Sequence, residues 1–247
     1  MSRIREAFYI GLFDTLPLLR DPMVLVLLSM FSFLPVLFVF VFGGAGANTQ
    51  QALVGAIVLS LAFTGLFSSQ SVYFNKHWFR FQDILVASPV SPLSYAFGIS
   101  LGTFIVAVPA VLLAYILLLA GRPLDVLSVF FSILVAFALW ISMLFAGFAL
   151  GASTKNVRRA NTLPQFLGIV LGFLPPVYYP LSALQGAPIA QGLALLVPTT
   201  HAAQLAKHYL GLISISVPEI VLGWAYLIGF AALMAFIALR RAHWTDP

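Results

Sequence analysis

The chain has 247 residues, of which 62% are hydrophobic and only 8% are charged, and its mean hydropathy is +1.05. Because a soluble domain carries about 25% charged residues, this composition excludes a soluble globular protein and an intrinsically disordered one. The net charge of +5 fits basic residues at membrane edges better than a nucleic-acid surface, and the lack of cysteines excludes disulfides, thiol catalysis and cysteine–zinc sites.

Residues 1–22 are predicted to form an amphipathic helix that lies along the membrane surface. Apolar residues recur at helical spacing, while a second set is charged. The apolar series is Ile4, Phe8, Leu12, Leu16 and Leu19, and the charged residues are Arg3, Arg5, Glu6 and Asp14. Arg20 and Asp21, followed by a proline, are predicted to form the elbow that leads into the first membrane span.

Six apolar stretches are predicted to cross the bilayer as helices, which takes about 20 residues for about 30 Å of hydrocarbon. The predicted spans are 23–42, 51–74, 95–120, 126–152, 162–174 and 217–239. The fifth is the shortest and runs into a pair of prolines. With the leader, these spans define an all-α polytopic membrane protein in which residues 23–247 form a single transmembrane domain.

The segment between the fifth and sixth spans, about 175–210, is apolar but interrupted by Gln185, Pro188, Gln191 and Pro198. A seventh span would leave these interruptions in lipid without hydrogen-bond partners. Short re-entrant helices avoid that cost, so we expect six spans with re-entrant helices between the last two.

Basic residues gather at one end of the predicted spans. Of the twelve lysines and arginines, all but Arg122 and Lys207 fall before the first span, after the sixth, or in the two loops on that same side. Such an excess marks the cytoplasmic side. The sequence therefore predicts a multi-pass protein of the cytoplasmic (inner) membrane with both termini in the cytoplasm.

The predicted spans lack the groups that most membrane chemistry requires. No acidic residue falls at the predicted middle of the membrane, which argues against proton-coupled transport and acid–base catalysis. His201 and His208 lie two helical turns apart, but two ligands are too few for a metal site. No phosphate-binding loop occurs in the sequence. We therefore predict that the chain is not an enzyme and holds no metal or cofactor.

Three predicted spans carry pairs of glycines four residues apart. The pairs are Gly98 and Gly102, Gly147 and Gly151, and Gly168 and Gly172. Such pairs let two helix backbones approach closely, and they are compatible either with packing inside one bundle or with a dimer seam.

The polar stretch "FNKHWFRFQDILVASPVSPLSYAFG" (74–98) reads as a short helix with two faces. Trp78 and Phe81 belong to an aromatic face, while Arg80 and Asp83 belong to a charged one. The prolines that follow would end this helix. Two interpretations stay open: an interfacial helix with an aromatic anchor, or a cytoplasmic helix that docks on a partner.

Two motifs in this order resemble the permease subunits of type-2 ABC exporters. An acidic residue followed by "ILVASPVSPLSYAFG" (84–98) is similar to the loop that leads into that family's third span. The stretch "LPQFLGIVLGFLPPVYYPLSALQG" (163–186) with "PTTHAAQLAK" (198–207) is similar to its fifth span, outer turn and re-entrant helices. The leader and the six spans also follow the family's order.

The resemblance implies a coupling helix at about 75–88 that contacts a separate ABC ATPase subunit, where ATP and Mg²⁺ would bind. It implies a second permease copy, in a homodimer, or a paralogue, with membrane lipids around the assembly. The implied partner contacts are His77, Trp78, Phe79, Arg80, Phe81 and Asp83. The implied outer gate or exit consists of Pro175, Pro176, Tyr178, Tyr179 and Pro180.

The function expected from this resemblance is ATP-driven export of an amphipathic substrate, drug-like or a lipid or glycolipid. The alternative is a non-transporting membrane assembly component or an energy-independent scramblase, neither of which needs an ATPase. For Tyr178 and Tyr179 two roles are open, because each ring is either an anchor in the headgroup layer or a gate that contacts the cargo.

Overall fold

A computed structural model describes residues 3–44, 46–77, 81, 84, 87 and 90–241. Within these residues the regular secondary structure is entirely helical. The α-helices are α1 (Arg3–Arg20), α2 (Pro22–Gly43), α3 (Ala47–His77), α4 (Pro92–Gly121), α5 (Val126–Ser153), α6 (Val157–Phe173), α7 (Pro188–Leu195), α8 (Pro198–Tyr209) and α9 (Val217–Arg241). A 3₁₀ turn, Leu181–Leu184, precedes α7. The predicted all-α polytopic membrane protein is confirmed.

Among the described residues, five helices are long and apolar enough to cross a membrane, namely α2, α3, α4, α5 and α9. The prediction of six membrane-spanning helices is therefore wrong, because the fifth predicted span, 162–174, is not among these five. Helix α6 has 17 residues, which rise about 25 Å, short of the roughly 30 Å of hydrocarbon. The physical reason is the pair Pro175 and Pro176, which cannot continue the helical hydrogen bonding.

Helix α3 is the centre of the bundle and contacts α2, α4, α5, α6 and α8. Its side chains are buried on every face, including Ala52, Val54 and Leu59, which are fully enclosed, as expected of a helix that is hydrophobic all round. It begins ahead of the predicted residue 51. The Thr49 hydroxyl donates to the Gly44 carbonyl at 2.7 Å and so closes the turn that starts the helix.

The glycine pairs lie where helices of this chain touch one another. A methyl group built on Gly147 would lie 2.5 Å from the carbonyl oxygen of Gly65 in α3, and one on Gly98 would lie 2.7 Å from the side chain of Ile10 in α1. The third pair meets α3 side chains in the same way. All three pairs therefore pack inside one bundle, which is the first of the two interpretations.

The two ends of the bundle differ in charge. We call the end where α1 packs on the start of α4 the leader end, and the opposite end, which carries residues 174–180, the turn end. Arg122 and Lys207 lie at the turn end. The leader end carries Arg5, Arg20, Lys76, Lys155, Arg158, Arg159, Arg240 and Arg241.

Candidate functional site

The leader helix α1 is fastened to α3 and α4 through its polar side. The Glu6 carboxylate accepts a hydrogen bond from Ser94 at 3.1 Å, and the Asp14 carboxylate accepts from Ser71 at 3.0 Å and from Asn75 at 3.4 Å. The leader is thus amphipathic, but its acidic groups face the bundle. Its aromatic residues remain exposed, where a lipid surface would meet them.

The predicted coupling residues fall only partly within the described structure. His77 ends α3, and its ring lies 4.8 Å from the ring of Tyr73. Phe81 stacks on Phe13 of the leader with ring centroids 5.1 Å apart. This contact joins the leader to the segment 75–88, which we call the coupling segment. Outside the described residues lie Trp78, Phe79, Arg80 and Asp83.

The predicted elbow residues lie at the junction of α1 and α2. Arg20 is the last residue of α1, where a basic side chain is favourable to the helix dipole. Asp21 follows, and its carboxylate accepts a hydrogen bond from the Met23 backbone at 3.0 Å, which is how an N-cap satisfies the first turn of a helix. A functional role for this elbow stays a prediction.

Residues 174–180, which we call the proline turn, leave the helical conformation after Phe173. Pro175, Pro176 and Pro180 exclude a regular helix here, and the Val177 amide donates to the Pro175 carbonyl at 2.7 Å. Most of the turn is buried, from Pro175 to Tyr178, while Tyr179 and Pro180 are half-buried. The turn is therefore packed against the bundle.

Tyr178 ties the proline turn to two helices. Its side chain is 8% exposed, and its hydroxyl donates to the Ser32 carbonyl of α2 at 3.0 Å. Its ring covers Gly55 of α3 so closely that a methyl group there would lie 2.6 Å from the ring. The structure thus places this ring in the core, in contrast to the half-buried Tyr179. The exit role of the turn stays a prediction.

Lys207 of α8 contacts the proline turn through its ammonium group. It is fully buried, and its ammonium donates to the carbonyls of Tyr179 at 2.8 Å and Pro176 at 3.3 Å. Burial lowers the pKa of Lys207 to about 7 because desolvation disfavours the charged form. Ala203 and Ala206 of the same helix are buried as well, but small neighbours alone do not predict a buried lysine.

The histidines of α8 make contacts within the protein. His201 bonds to the Leu195 carbonyl at 2.8 Å and stacks on Tyr226 with centroids 4.3 Å apart. His208 lies beside the ring of Tyr209. In the part of the chain that the structure describes, no three histidine, aspartate or glutamate side chains gather as a metal site.

An apolar cavity with a volume of about 770 Å³ lies between α2, α3 and α4 near the turn end. Its walls include Phe33, Phe40 and Leu53, and Thr49 and Gln50 contribute polar groups. Ligand cavities of this size and apolar character accommodate the hydrocarbon part of a small molecule or lipid, with a few polar groups fixing its orientation.

A family model described as ABC-2 type transporter matches residues 13–210. The matched range begins within the leader helix, includes the coupling segment and the proline turn, and ends just beyond α8. The comparison with curated proteins finds no match.

Proposed function

Because the chain belongs to the ABC-2 type transporter family, we propose that it exports an amphipathic molecule, drug-like or a lipid or glycolipid. The chain is a multi-pass membrane protein and a membrane subunit of an ABC transporter, a family whose members partner with an ABC ATPase subunit. The observation that supports an amphipathic cargo is the apolar cavity of about 770 Å³ with Thr49 and Gln50 among its lining residues.

In the proposed assembly, two permease chains, copies or paralogues, bind two ATPase subunits that hold ATP and Mg²⁺. Closure of the ATPases would push on the coupling segment and switch the path between inward- and outward-open states. The contact of Phe81 with Phe13 would transmit this motion to the leader, and the hydrogen bond of Ser71 to Asp14 would transmit it from the leader to α3.

The proposed orientation places the leader end and both termini in the cytoplasm. The support is the concentration of basic side chains at the leader end, which follows the positive-inside rule. The coupling segment, at the same end, would then face the soluble ATPase.

Thiol labelling of intact cells tests this orientation, since the natural chain has no cysteine. Lys155→Cys and Gly186→Cys both place a thiol at an exposed position, one at each end. We expect a membrane-impermeant maleimide to label Gly186→Cys and to leave Lys155→Cys unlabelled until the membrane is opened. The reverse pattern would refute the orientation.

Capture of an ABC ATPase by the tagged full chain tests the proposed partner. We expect Trp78→Ala and Phe81→Ala to reduce the captured ATPase several-fold, since buried aromatic contacts dominate interfaces. The pair Arg80→Glu with Asp83→Lys should have a smaller effect, because exposed ion pairs contribute only about 0–1 kcal/mol.

Two controls make this capture experiment decisive. Phe42→Ala removes an aromatic ring that is 82% exposed at the opposite end and should capture the ATPase like wild type. Phe13→Ala removes the ring that stacks on Phe81. Normal capture by this variant would mean that Phe81 contacts the ATPase directly, and reduced capture would mean that the leader positions Phe81. Absence of any ATPase from the wild-type complex would favour a scramblase or assembly component, and equal capture by all variants would exclude the coupling segment.

A further inference from the structure

A second cavity, with a volume of about 230 Å³, lies toward the leader end between α1, α3 and α4. It differs from the apolar cavity because a carboxylate, that of Asp14, lines it. Leu18, Phe67 and Val106 give it an apolar wall. Its other polar lining residues are Thr15, Thr64, Gln70, Ser71 and Thr103.

The hydroxyl hydrogens of the three threonines in this cavity are donated to backbone carbonyls of their own helices. Thr64 donates to the Ser60 carbonyl at 2.8 Å, Thr103 donates to the Ser100 carbonyl at 2.9 Å, and Thr15 donates to a carbonyl one turn earlier in α1. A hydroxyl carries one donor and two acceptor lone pairs. What each threonine still offers is therefore an acceptor oxygen.

The remaining polar side chains follow the same pattern. Ser71 and Asn75 both donate to the Asp14 carboxylate, at 3.0 Å and 3.4 Å, and the Gln70 amide donates to a backbone carbonyl of α6 at 3.4 Å. Among the described residues, no lysine, arginine or histidine forms an ion pair with Asp14. The cavity is therefore rich in acceptors, and its carboxylate has no cationic partner among the described side chains.

We propose that this cavity binds a small lipophilic amine in its protonated form, with Asp14 as the counter-charge. An ammonium group supplies only donors and a positive charge, which is the complement of a carboxylate surrounded by acceptor oxygens. The ring of Phe67 adds an aromatic face that attracts cations, and Leu18 and Val106 contact the hydrocarbon part of the amine. Burial raises the pKa of Asp14, so a bound cation would restore the charged form that burial disfavours.

Equilibrium binding to the purified full chain in detergent tests the proposal without reference to export. The probe is phenethylamine, and its neutral analogue 2-phenylethanol is the matched control ligand. We expect the amine to bind at least about tenfold more tightly than the alcohol by calorimetry, which is about 1.4 kcal/mol, and Asp14→Asn to abolish the difference. Asp125→Asn removes a carboxylate that caps α5 at the turn end and should bind the amine like wild type.

A second measurement does not depend on the folding of Asp14→Asn. Thr103→Cys places a thiol in the cavity of an otherwise native chain, and its reaction rate is compared for the ammonium-bearing and sulfonate-bearing ethyl methanethiosulfonates. We expect the thiol of Thr103→Cys to react at least about tenfold faster with the ammonium reagent, once each rate is divided by the rate of the same reagent with the exposed thiol of Lys155→Cys. Phenethylamine should slow the reaction of the ammonium reagent. Equal rates, no reaction with either reagent, or equal affinity for amine and alcohol would overturn the proposal. Displacement of the amine by sodium or potassium ions at equal concentration would also overturn it in favour of a metal-ion site.

Discussion

Replacing Lys207 with alanine should lower the free energy of unfolding of the purified protein by about 2–4 kcal/mol. The change leaves a cavity where a fully buried side chain stood and deprives the carbonyls of Pro176 and Tyr179 of their donor. The proline turn then loses its attachment to α8. Denaturant unfolding in detergent, followed by tryptophan fluorescence, measures this loss.

The same lysine gives the wild-type protein a recognisable pH dependence. Its pKa falls from the ordinary 10.5 to about 7 on folding, so between these values the unfolded chain holds a proton that the folded chain has released. The free energy of unfolding should therefore rise with pH from about 7 to about 10.5, by at most about 1.4 kcal/mol per pH unit. Lys207→Met removes the titrating group and should flatten this rise.

Lys155 provides the matched control, because it is exposed. Lys155→Met should change neither the stability nor its pH dependence by more than about 0.5 kcal/mol. If Lys207→Ala unfolds at the same denaturant concentration as this control, the two carbonyl contacts do not stabilise the fold.

Replacing Gly147 with alanine should force α3 and α5 apart. The added methyl group would lie 2.5 Å from the Gly65 carbonyl oxygen and 3.1 Å from that of Leu66, and would also meet the Ser68 hydroxyl. Because two of these contacts are with backbone, rotation of a side chain cannot relieve them. We expect destabilisation of about 1–3 kcal/mol from overpacking, although alanine favours a helix by about 1 kcal/mol over glycine. Thermal unfolding in detergent measures the effect.

Gly229→Ala makes the same chemical change where there is room for it. Gly229 lies in α9, and a methyl group built there meets no atom within 4 Å. This variant should be as stable as wild type or slightly more stable, because only the helix preference acts. Equal midpoints for Gly147→Ala and Gly229→Ala would show that the close approach of α3 and α5 has no energetic importance.

The long helices were predictable because their length and hydrophobicity are local properties of the chain. The predicted spans 126–152 and 217–239 nearly coincide with α5 and α9. The bounds of α6 were less accurate, since the helix begins at Val157, where the Asn156 side chain accepts from the Arg158 amide at 2.8 Å. That cap was present in the sequence, but the apolar window that located the span starts further along.

The contacts that organise the two ends of the bundle could not be predicted in this way. The hydrogen bond of Tyr178 to Ser32 joins residues 146 positions apart, and Lys207 reaches Tyr179 across 28 positions. Whether an isolated lysine lies in water or against two carbonyls depends on which helix packs beside it. Hydropathy and spacing carry no information about that neighbour, and the same is true of the partners of Asp14.

The attachment of the leader has a consequence for how the protein is made. Glu6 is hydrogen-bonded to Ser94, a residue 88 positions further along the chain, and Gly11 packs against the backbone of Gly98. At a synthesis rate of about 5–20 residues per second, roughly 4–18 s separate the emergence of the leader from that of its partner helix. During that interval the side of the leader that packs on α4, which includes Ala7 and Ile10, lacks that partner, and the leader reaches its final position after the ribosome has delivered the start of α4.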